Sequence, residues 1–143
     1  MAEIRVKLLH PAASLPVRAH PGDAGADLCS VESVVIPPGE RRDVGTGIAI
    51  QIPSGHGGFV QPRSGLAFKK GIMLVNSPGL IDSGYRGEVR VCLYNSGPEA
   101  FSIEPGERIA QLVVQRVEEP VFVEMSELAD TARGDSGFGS TGR

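Results

Sequence analysis

Short runs of alternating or β-branched residues recur along the chain and end at glycine- and proline-rich turns. An alternation of period two places successive side chains on opposite faces of a strand, which is typical of half-buried strands. Turn signals such as Pro37-Pro38-Gly39 separate these runs. The pattern predicts strands at residues 4–9, 26–29, 34–36, 41–44, 47–52, 58–61, 72–75, 88–94, 101–103, 108–115 and 121–123.

Helix signals are scarce. The segment 64–71 has Ser64 where an N-cap belongs, two lysines in its last turn and Gly71 at its end. Residues 125–130 are expected to form a further turn of helix. Because no internal repeat or second core is visible, the pattern predicts an all-β, jelly-roll-like β-barrel with one short helix.

Composition fits one folded domain. The chain has 143 residues, of which 41% are hydrophobic and 22% are charged. No stretch is apolar enough to span a bilayer and the N-terminus lacks the apolar run of a signal peptide, so we expect a cytoplasmic protein without a membrane partner. The net charge of −3 argues against a nucleic-acid polymer as partner, because proteins that bind such polymers usually present a basic surface.

The cysteines and histidines do not have the spacing of a metal site. Cys29 and Cys92 are far apart in the sequence and are interpreted as buried or half-buried thiols without a disulfide. His10, His20 and His56 are scattered along the chain as well. We therefore expect no His/Cys metal centre.

The C-terminal residues 133–142 form a glycine-rich tail with an arginine, an aromatic ring and hydroxyl groups. Glycines let main-chain N–H groups turn toward an anion, Arg133 can donate charge-assisted hydrogen bonds to phosphate, and Phe138 offers a face for a base. The plainer interpretation is a flexible terminus. The tail therefore indicates phosphate binding only if the rest of the chain provides a site for the same ligand.

Two internal segments could provide that site. Arg63 and Ser64 precede or begin the short helix, where main-chain N–H groups favour an anion, although a surface turn with a capping serine is the simpler explanation. The segment 76–88 places an amide, an acid and a ring around glycine-marked bends. Here Asp82 could instead be a turn-forming residue and Tyr85 a half-buried aromatic at a strand end.

Together with residues 24–28 (Ala-Gly-Ala-Asp-Leu) and 106–112 (Gly-Glu-Arg-Ile-Ala-Gln-Leu), these segments resemble the five ordered motifs of the homotrimeric dUTPases, over residues 23–142. Two departures stand out. Ala26 replaces a larger apolar residue, and Asp135-Ser136 replaces small residues or glycine in the tail. The resemblance implies a barrel domain over residues 1–130 and a C-terminal arm over residues 131–143 that closes over the active site.

The resemblance also implies the activity. Such an enzyme hydrolyses dUTP to dUMP and pyrophosphate, which limits uracil in DNA and supplies dUMP for thymidylate synthesis. Asp82 would orient and deprotonate the water that attacks the α-phosphorus, and Asp27 would hold Mg²⁺ through its water shell. Three subunits would share each site.

Substrate contacts follow from the same resemblance. Tyr85 would crowd C2′ and reject a ribose hydroxyl, and Phe138 would stack on the uracil. Arg108 would either contact the ligand or pair with a carboxylate. The phosphate ligands implied are Arg63, Ser64, Gly65, Gln111, Arg133, Gly139 and Ser140. Uracil would be read by Asn76 and by the main chain of Gly79, Leu80, Ile81 and Arg90.

Two other functions remain open from the sequence. A dCTP deaminase shares the fold, but deamination needs an acid/base pair aimed at the exocyclic amine, and no such arrangement is evident. A catalytically silent nucleotide-binding or regulatory module is the second alternative. The presence of both Asp27 and Asp82 argues against it, because a pure binder needs neither a general base nor a metal anchor.

Overall fold

A computed structural model describes residues 2–142. Ten strands and one helix lie within that range. Short turns join most of them, several with a glycine at positive φ. The elements are β1 (Arg5–Leu8), β2 (Ala26–Cys29), β3 (Val34–Ile36), β4 (Arg41–Gln51), β5 (His56–Gln61), α1 (Ser64–Lys70), β6 (Ile72–Leu74), β7 (Gly79–Ile81), β8 (Glu88–Asn95), β9 (Phe101–Ile103) and β10 (Arg108–Arg116).

The strands form two four-stranded antiparallel sheets in the orders β1-β4-β8-β6 and β2-β10-β5-β7, and a small sheet of β3 and β9. Alternate residues of β8 are buried, as the period-two pattern predicts. Side chains from both large sheets meet in one core, among them Leu28, Val44, Leu93 and Leu112. This confirms the predicted all-β, jelly-roll-like fold, although the strands of the described residues do not hydrogen-bond around a closed barrel.

Three sequence expectations need correction. The predicted strands 41–44 and 47–52 are one strand, β4, whose register with β8 shifts between Gly45 and Ala49. Residues 121–123 form no strand and 125–130 no helix, because their apolar side chains have nothing to pack against in this chain and are exposed. The strand β7 was not anticipated.

The N-cap of helix α1 lies one residue earlier than the sequence predicts. Arg63 occupies the N-cap position, with extended backbone and no side-chain cap, so Ser64 is not the N-cap. The predicted end is confirmed: Gly71 adopts the left-handed conformation at φ 71, and its N–H donates to the carbonyl of Ala67. Within residues 2–142 no helix is long and apolar enough to cross a membrane. Cys29 and Cys92 are free and half-buried, as expected.

Candidate active site

Three adjacent strands bring one acid and two amides together. In the sheet β2-β10-β5, Asp27 pairs with Gln111, and Gln111 pairs with Gln61 on its other side. Residues opposite each other on neighbouring strands share a face, so these side chains form a row. Arg63 lies two residues beyond Gln61 and donates from Nε to Oδ1 of Asp27 at 3.0 Å. The motifs at residues 24–28, 62–65 and 106–112 thus meet at one place.

Arg108 also reaches this row. Its Nη1 lies 3.4 Å from Oδ2 of Asp27, so Arg108 pairs with a carboxylate, one of the two roles left open by the sequence. Two guanidinium groups around one carboxylate leave a net charge of +1. This cluster, which we call the cradle (Asp27, Arg63, Arg108 and Gln111), therefore attracts anions. Ser64 and Gly65, the exposed first residues of α1, adjoin it.

The amide of Gln111 is held in a fixed position in the cradle. Its Nε2 donates to the carbonyl of Pro62 at 2.8 Å. On the other side the backbone of Gly25 approaches so closely that a Cβ there would lie 3.0 Å from Cδ of Gln111 and closer still to its amide oxygen. Glycine at position 25 is therefore needed for the amide to keep its place.

A second feature lies at the other end of the same sheet. A cavity of about 210 Å³ opens between β7 and the first half of β8. In the described chain β7 is an edge strand that pairs only with β5, and the chain leaves β8 after Val75, one residue beyond β6. Both walls of the cavity are therefore strand edges, with main-chain donors and acceptors available to a ligand. The predicted base-reading residues Asn76, Gly79, Leu80, Ile81 and Arg90 all line it, as does Tyr85, the residue predicted to crowd C2′.

The direction of the β8 main chain identifies the groups that face this cavity. The carbonyl of Cys92 accepts from the N–H of Val75, and the carbonyl of Glu88 accepts from the Tyr85 hydroxyl at 2.9 Å. Alternate residues of a strand point their N–H and C=O groups to the same side. Arg90 lies between Glu88 and Cys92 in this alternation, so its main-chain N–H and C=O face the cavity.

The side chain of Arg90 is occupied elsewhere. Its Nε lies 2.9 Å from Oδ2 of Asp43, its Nη1 3.0 Å from Oε1 of Glu88 and its Nη2 3.5 Å from Glu32. The hydrogen bond with Asp43, followed by that with Glu88, raises the pKa of Arg90 above its ordinary value despite partial desolvation. No local sequence pattern predicts this ionic network, because Glu32 and Asp43 are far from Glu88 and Arg90 along the chain.

Tyr85 is packed against a glycine. A Cβ on Gly87 would lie 2.6 Å from Cζ of Tyr85, so only glycine allows the ring to lie over this turn. Arg86 braces the same turn by donating from Nη1 to the carbonyls of Ser83 and Tyr85, at 2.7 and 2.9 Å. The ring is thereby fixed at the cavity wall with 46% of its surface exposed.

Asp82 follows the last residue of β7 and is exposed to solvent. Its carbonyl accepts the N–H of Tyr85 at 3.1 Å, which closes a turn between the acid and the ring. The carboxylate therefore stands at the end of a cavity-lining strand.

The cradle and Asp82 do not meet within one chain. Ile81, next to Asp82, pairs with Gly58, which is three residues before Gln61 along β5. Continuing this pairing by one residue places Asp82 opposite Gly57, four residues before Gln61. Asp27 lies three strands away from β7, so ordinary strand spacings give roughly 14 Å across the sheet, roughly 13 Å along it and about 19 Å in all. A water activated by Asp82 would therefore be out of reach of phosphates held in the same chain's cradle.

The tail does not join either feature. Phe138 is fully exposed, and Arg133 donates from Nε to the carbonyl of Ser136 at 2.8 Å. None of Arg133, Phe138, Gly139 and Ser140 lines the cavity. One chain thus carries three parts, the cradle, the cavity with Asp82, and the tail, in three separate places.

The chain is similar to known proteins over nearly its whole length. It is 59% identical over 140 residues to the deoxyuridine 5′-triphosphate nucleotidohydrolase of Rhodococcus erythropolis, covering 97% of this chain and 85% of that protein. Among solved structures, the dUTPase of Staphylococcus bacteriophage 80alpha with dUPNHPP matches with a TM-score of 0.93 and 32% identity, covering 100% of both chains. A variant of the dUTPase from phage phi11 of S. aureus, which coordinates a structural Mg(II) ion, matches with a TM-score of 0.82 and 28% identity, covering 88% of this chain and 98% of that one.

The family comparison agrees with the order of the motifs. The dUTPase family model matches residues 12–142, a span that contains the cradle, the cavity, Asp82 and the tail. The fold, the five motifs and the similarity to known proteins agree, and we conclude that this chain belongs to the dUTPase family.

Proposed function

We propose that this protein is a dUTP diphosphatase, which hydrolyses dUTP to dUMP and pyrophosphate. The observation that carries the proposal is the exposed carboxylate of Asp82 at the end of a strand whose edge lines a base-sized cavity. Membership of the dUTPase family supports the same reaction. Its product supplies thymidylate synthesis, and its substrate is removed before it can enter DNA.

The cavity suits uracil because its walls are main-chain edges. Uracil presents acceptors at O2 and O4 and a donor at N3, whereas cytosine carries an amino group in place of O4. A fixed strand edge matches only one of these patterns, and the mismatched base leaves buried polar groups unpaired. Tyr85, fixed by its hydrogen bond to the carbonyl of Glu88, stands where it can exclude a ribose 2′-hydroxyl.

The reaction needs a base and a charged cradle. Asp82 accepts a proton from a water molecule, and the water oxygen bonds to the α-phosphorus in line with the leaving group. The bond from the α-phosphorus to its bridging oxygen breaks, and pyrophosphate leaves with that oxygen. Arg63 and Gln111, with Ser64 and Gly65 beside them, bind the phosphate oxygens and offset the developing charge.

Magnesium fits the cradle through water. Within residues 2–142, no three His, Cys, Asp or Glu side chains cluster as direct ligands of a metal ion. Asp27 is the acid present, and each of its oxygens keeps a lone pair beyond its contact with an arginine. Such a site suits Mg²⁺, which retains its waters and binds mainly to substrate phosphates. When bound, the ion would offset the charge of the triphosphate and orient it.

A trimer would bring the separate parts together. Asp82 and the cradle are about 19 Å apart in one chain by ordinary strand spacings, so a working site needs Asp82 from one subunit and the cradle from another. The apolar side chains of Val121, Phe122 and Val123 are exposed in the single chain, which favours contact with a neighbouring subunit. Closed cyclic symmetry would then repeat the site three times.

The assembly has a direct test. We expect a single species of about 45 kDa, three times the 15.0 kDa chain, because homo-oligomers favour closed rings. Sedimentation velocity with simultaneous assay of the fractions measures mass and activity together. An active 15.0 kDa species would contradict the shared site.

The tail completes the proposed site. We assign residues 1–130 to the barrel domain and 131–143 to an arm that closes over the bound nucleotide, with Arg133, Gly139 and Ser140 at the phosphates and Phe138 on the uracil. Met1 and Arg143 lie outside the described residues. The high exposure of the arm in the single chain supports this assignment, since its side chains are free to bind a ligand.

The half-buried free thiols Cys29 and Cys92 support a reducing, cytoplasmic location.

Substrate preference tests the whole proposal. We expect release of pyrophosphate from dUTP with Mg²⁺, with kcat/KM for dCTP, dTTP and UTP lower by on the order of 10² or more, as for sites that hydrogen-bond a substrate group. Steady-state assays on the four nucleotides provide the measurement. Equal kcat/KM for dCTP and dUTP would contradict the proposed base reading. Deamination of dCTP would support the first alternative function, and binding without turnover the second; neither is favoured by the relatives described above.

A further inference from the structure

The β4 strand bulges where it passes the cavity-lining part of β8. Gly45 pairs with Arg90 and Ala49 with Glu88, so four steps along β4 match only two steps along β8. Residues 45–47 are the part of β4 that the bulge displaces, and we call them the β4 bulge. In β8 the residues opposite it, 88–90, are the same ones that present main-chain groups to the cavity.

The bulge is bonded to its surroundings through side chains. Thr46 is buried, and its Oγ1 donates to the carbonyl of Val89 at 2.5 Å. The N–H of Gly45 donates to Oε2 of Glu32 at 3.0 Å. The N–H of Gly47 donates to Oε2 of Glu88 at 2.9 Å. The contacts of Thr46 and Gly47 with β8 stand in for the ladder hydrogen bonds that a regular pair of strands would make at this point, whereas the N–H of Gly45 points away from β8 and is bound by Glu32.

The two glycines of the bulge lie close to neighbouring side chains. A Cβ on Gly45 would lie 2.7 Å from Oε2 of Glu88, the atom that binds the bulge. Gly47 adopts φ +69, a conformation that favours glycine, and a Cβ there would lie 2.8 Å from Cγ1 of Val31. Gly47 is therefore needed for the backbone path that directs Thr46 at β8, and a side chain at position 45 would push aside the carboxylate that binds Gly47.

The contacts alternate along β8. The carbonyl of Val89 points to β4 and is bound by Thr46, while the carbonyl of Glu88 points to the cavity side and is bound by Tyr85. The N–H and C=O of Arg90 face the cavity in the same alternation. Thr46 therefore holds this segment of β8 from the side that faces β4, while the opposite side of the segment would bind the base.

We propose that Thr46, supported by Glu32 and Glu88, is a positioning residue that sets base selectivity by holding β8 residues 88–90 in register with the base. This inference rests on the proposed function. Thr46 itself does not touch the ligand. It determines where the main-chain donor and acceptor of Arg90 stand and, through the carbonyl of Glu88, where the ring of Tyr85 stands.

The test compares Thr46→Val with Thr46→Ser. Valine keeps the shape of threonine but removes the hydroxyl, whereas serine keeps the hydroxyl, so serine should preserve the parent behaviour. For Thr46→Val we expect KM for dUTP to rise by on the order of tenfold with a small change in kcat, and the ratio of kcat/KM for dUTP over dCTP to fall by a similar factor. Calorimetric titration with dUMP measures base binding without turnover and should show the same weakening.

A matched control separates positioning from stability. Ile103→Val removes one methylene group from the fully buried core at β9, away from the cavity, so it should lower the melting temperature without changing the dUTP/dCTP ratio. If Thr46→Val keeps the parent KM, dUMP affinity and selectivity, or changes only its melting temperature as the control does, the positioning role is wrong. If the parent protein does not hydrolyse dUTP, the proposed function is wrong, and that result appears before any variant is made.

Discussion

Asp82→Asn is expected to lower kcat for dUTP hydrolysis by on the order of 10²–10⁴, because the amide cannot take the proton of the attacking water. Binding should survive. Asp82 is exposed at the end of β7, and the shape of the cavity does not depend on its charge. The measurement is single-turnover hydrolysis together with calorimetric titration of a non-hydrolysable dUTP analogue.

Asp130→Asn is the matched control for this experiment. It makes the same chemical change at another exposed acid, one that lies outside the cavity and the cradle. The control variant should turn over dUTP at the parent rate. A parent-like rate in Asp82→Asn would show that another group is the base, and equal losses in both variants would show that the effect is one of net charge.

Deleting residues 133–143 is expected to leave the fold intact and to lower kcat/KM by on the order of 10², since the missing arm would otherwise exclude water and bring Arg133 to the phosphates. The melting temperature should change little. The described part of this segment contributes no strand and no side chain to the core. Circular dichroism and steady-state kinetics on the same sample give both results.

Phe138→Ala removes only one contact of the arm and should cost about 1–3 kcal/mol, the range for stacking of a base on an aromatic ring, and no more than deletion of the whole arm. Ser136→Ala is the control within the arm, because Arg133 contacts the main-chain carbonyl of Ser136 and not its hydroxyl. Full activity in the truncated protein would identify the segment as a flexible terminus with no part in the reaction.

The strand β8 shows most clearly why strands could be predicted from the sequence, because its alternation has one cause, burial of one face. In β8, alternate residues from Val89 to Asn95 are buried, and the pattern in the sequence follows directly. The strand β7 has no such pattern, since it is three residues long and begins at Gly79 in a turn-rich segment. Residues 121–123 show the opposite error, because β-branched residues form a strand only where a partner strand exists.

The site was predictable as separate motifs but not as contacts. Asp27, Arg63 and Gln111 could be selected from the sequence, and the register of β2, β10 and β5 then brought them together. The hydrogen bond from Thr46 to Val89 spans 43 residues and depends on the β4 bulge, which adds two residues to β4 relative to β8. No local pattern encodes such a contact, because it results from how two distant strands align.

The orientation of Arg90 also bears on how this protein can evolve. If the N–H and C=O of that residue bind the base, the identity of its side chain has little influence on base recognition, because nearly every amino acid carries the same two groups. Base binding would then tolerate substitutions at position 90 as long as the strand keeps its path. Proline is the exception, because it lacks the N–H. Selection for uracil binding would act instead on the residues that shape the backbone. Among descendants we therefore expect substitutions at position 90 and conservation of the residues that hold β8 in place.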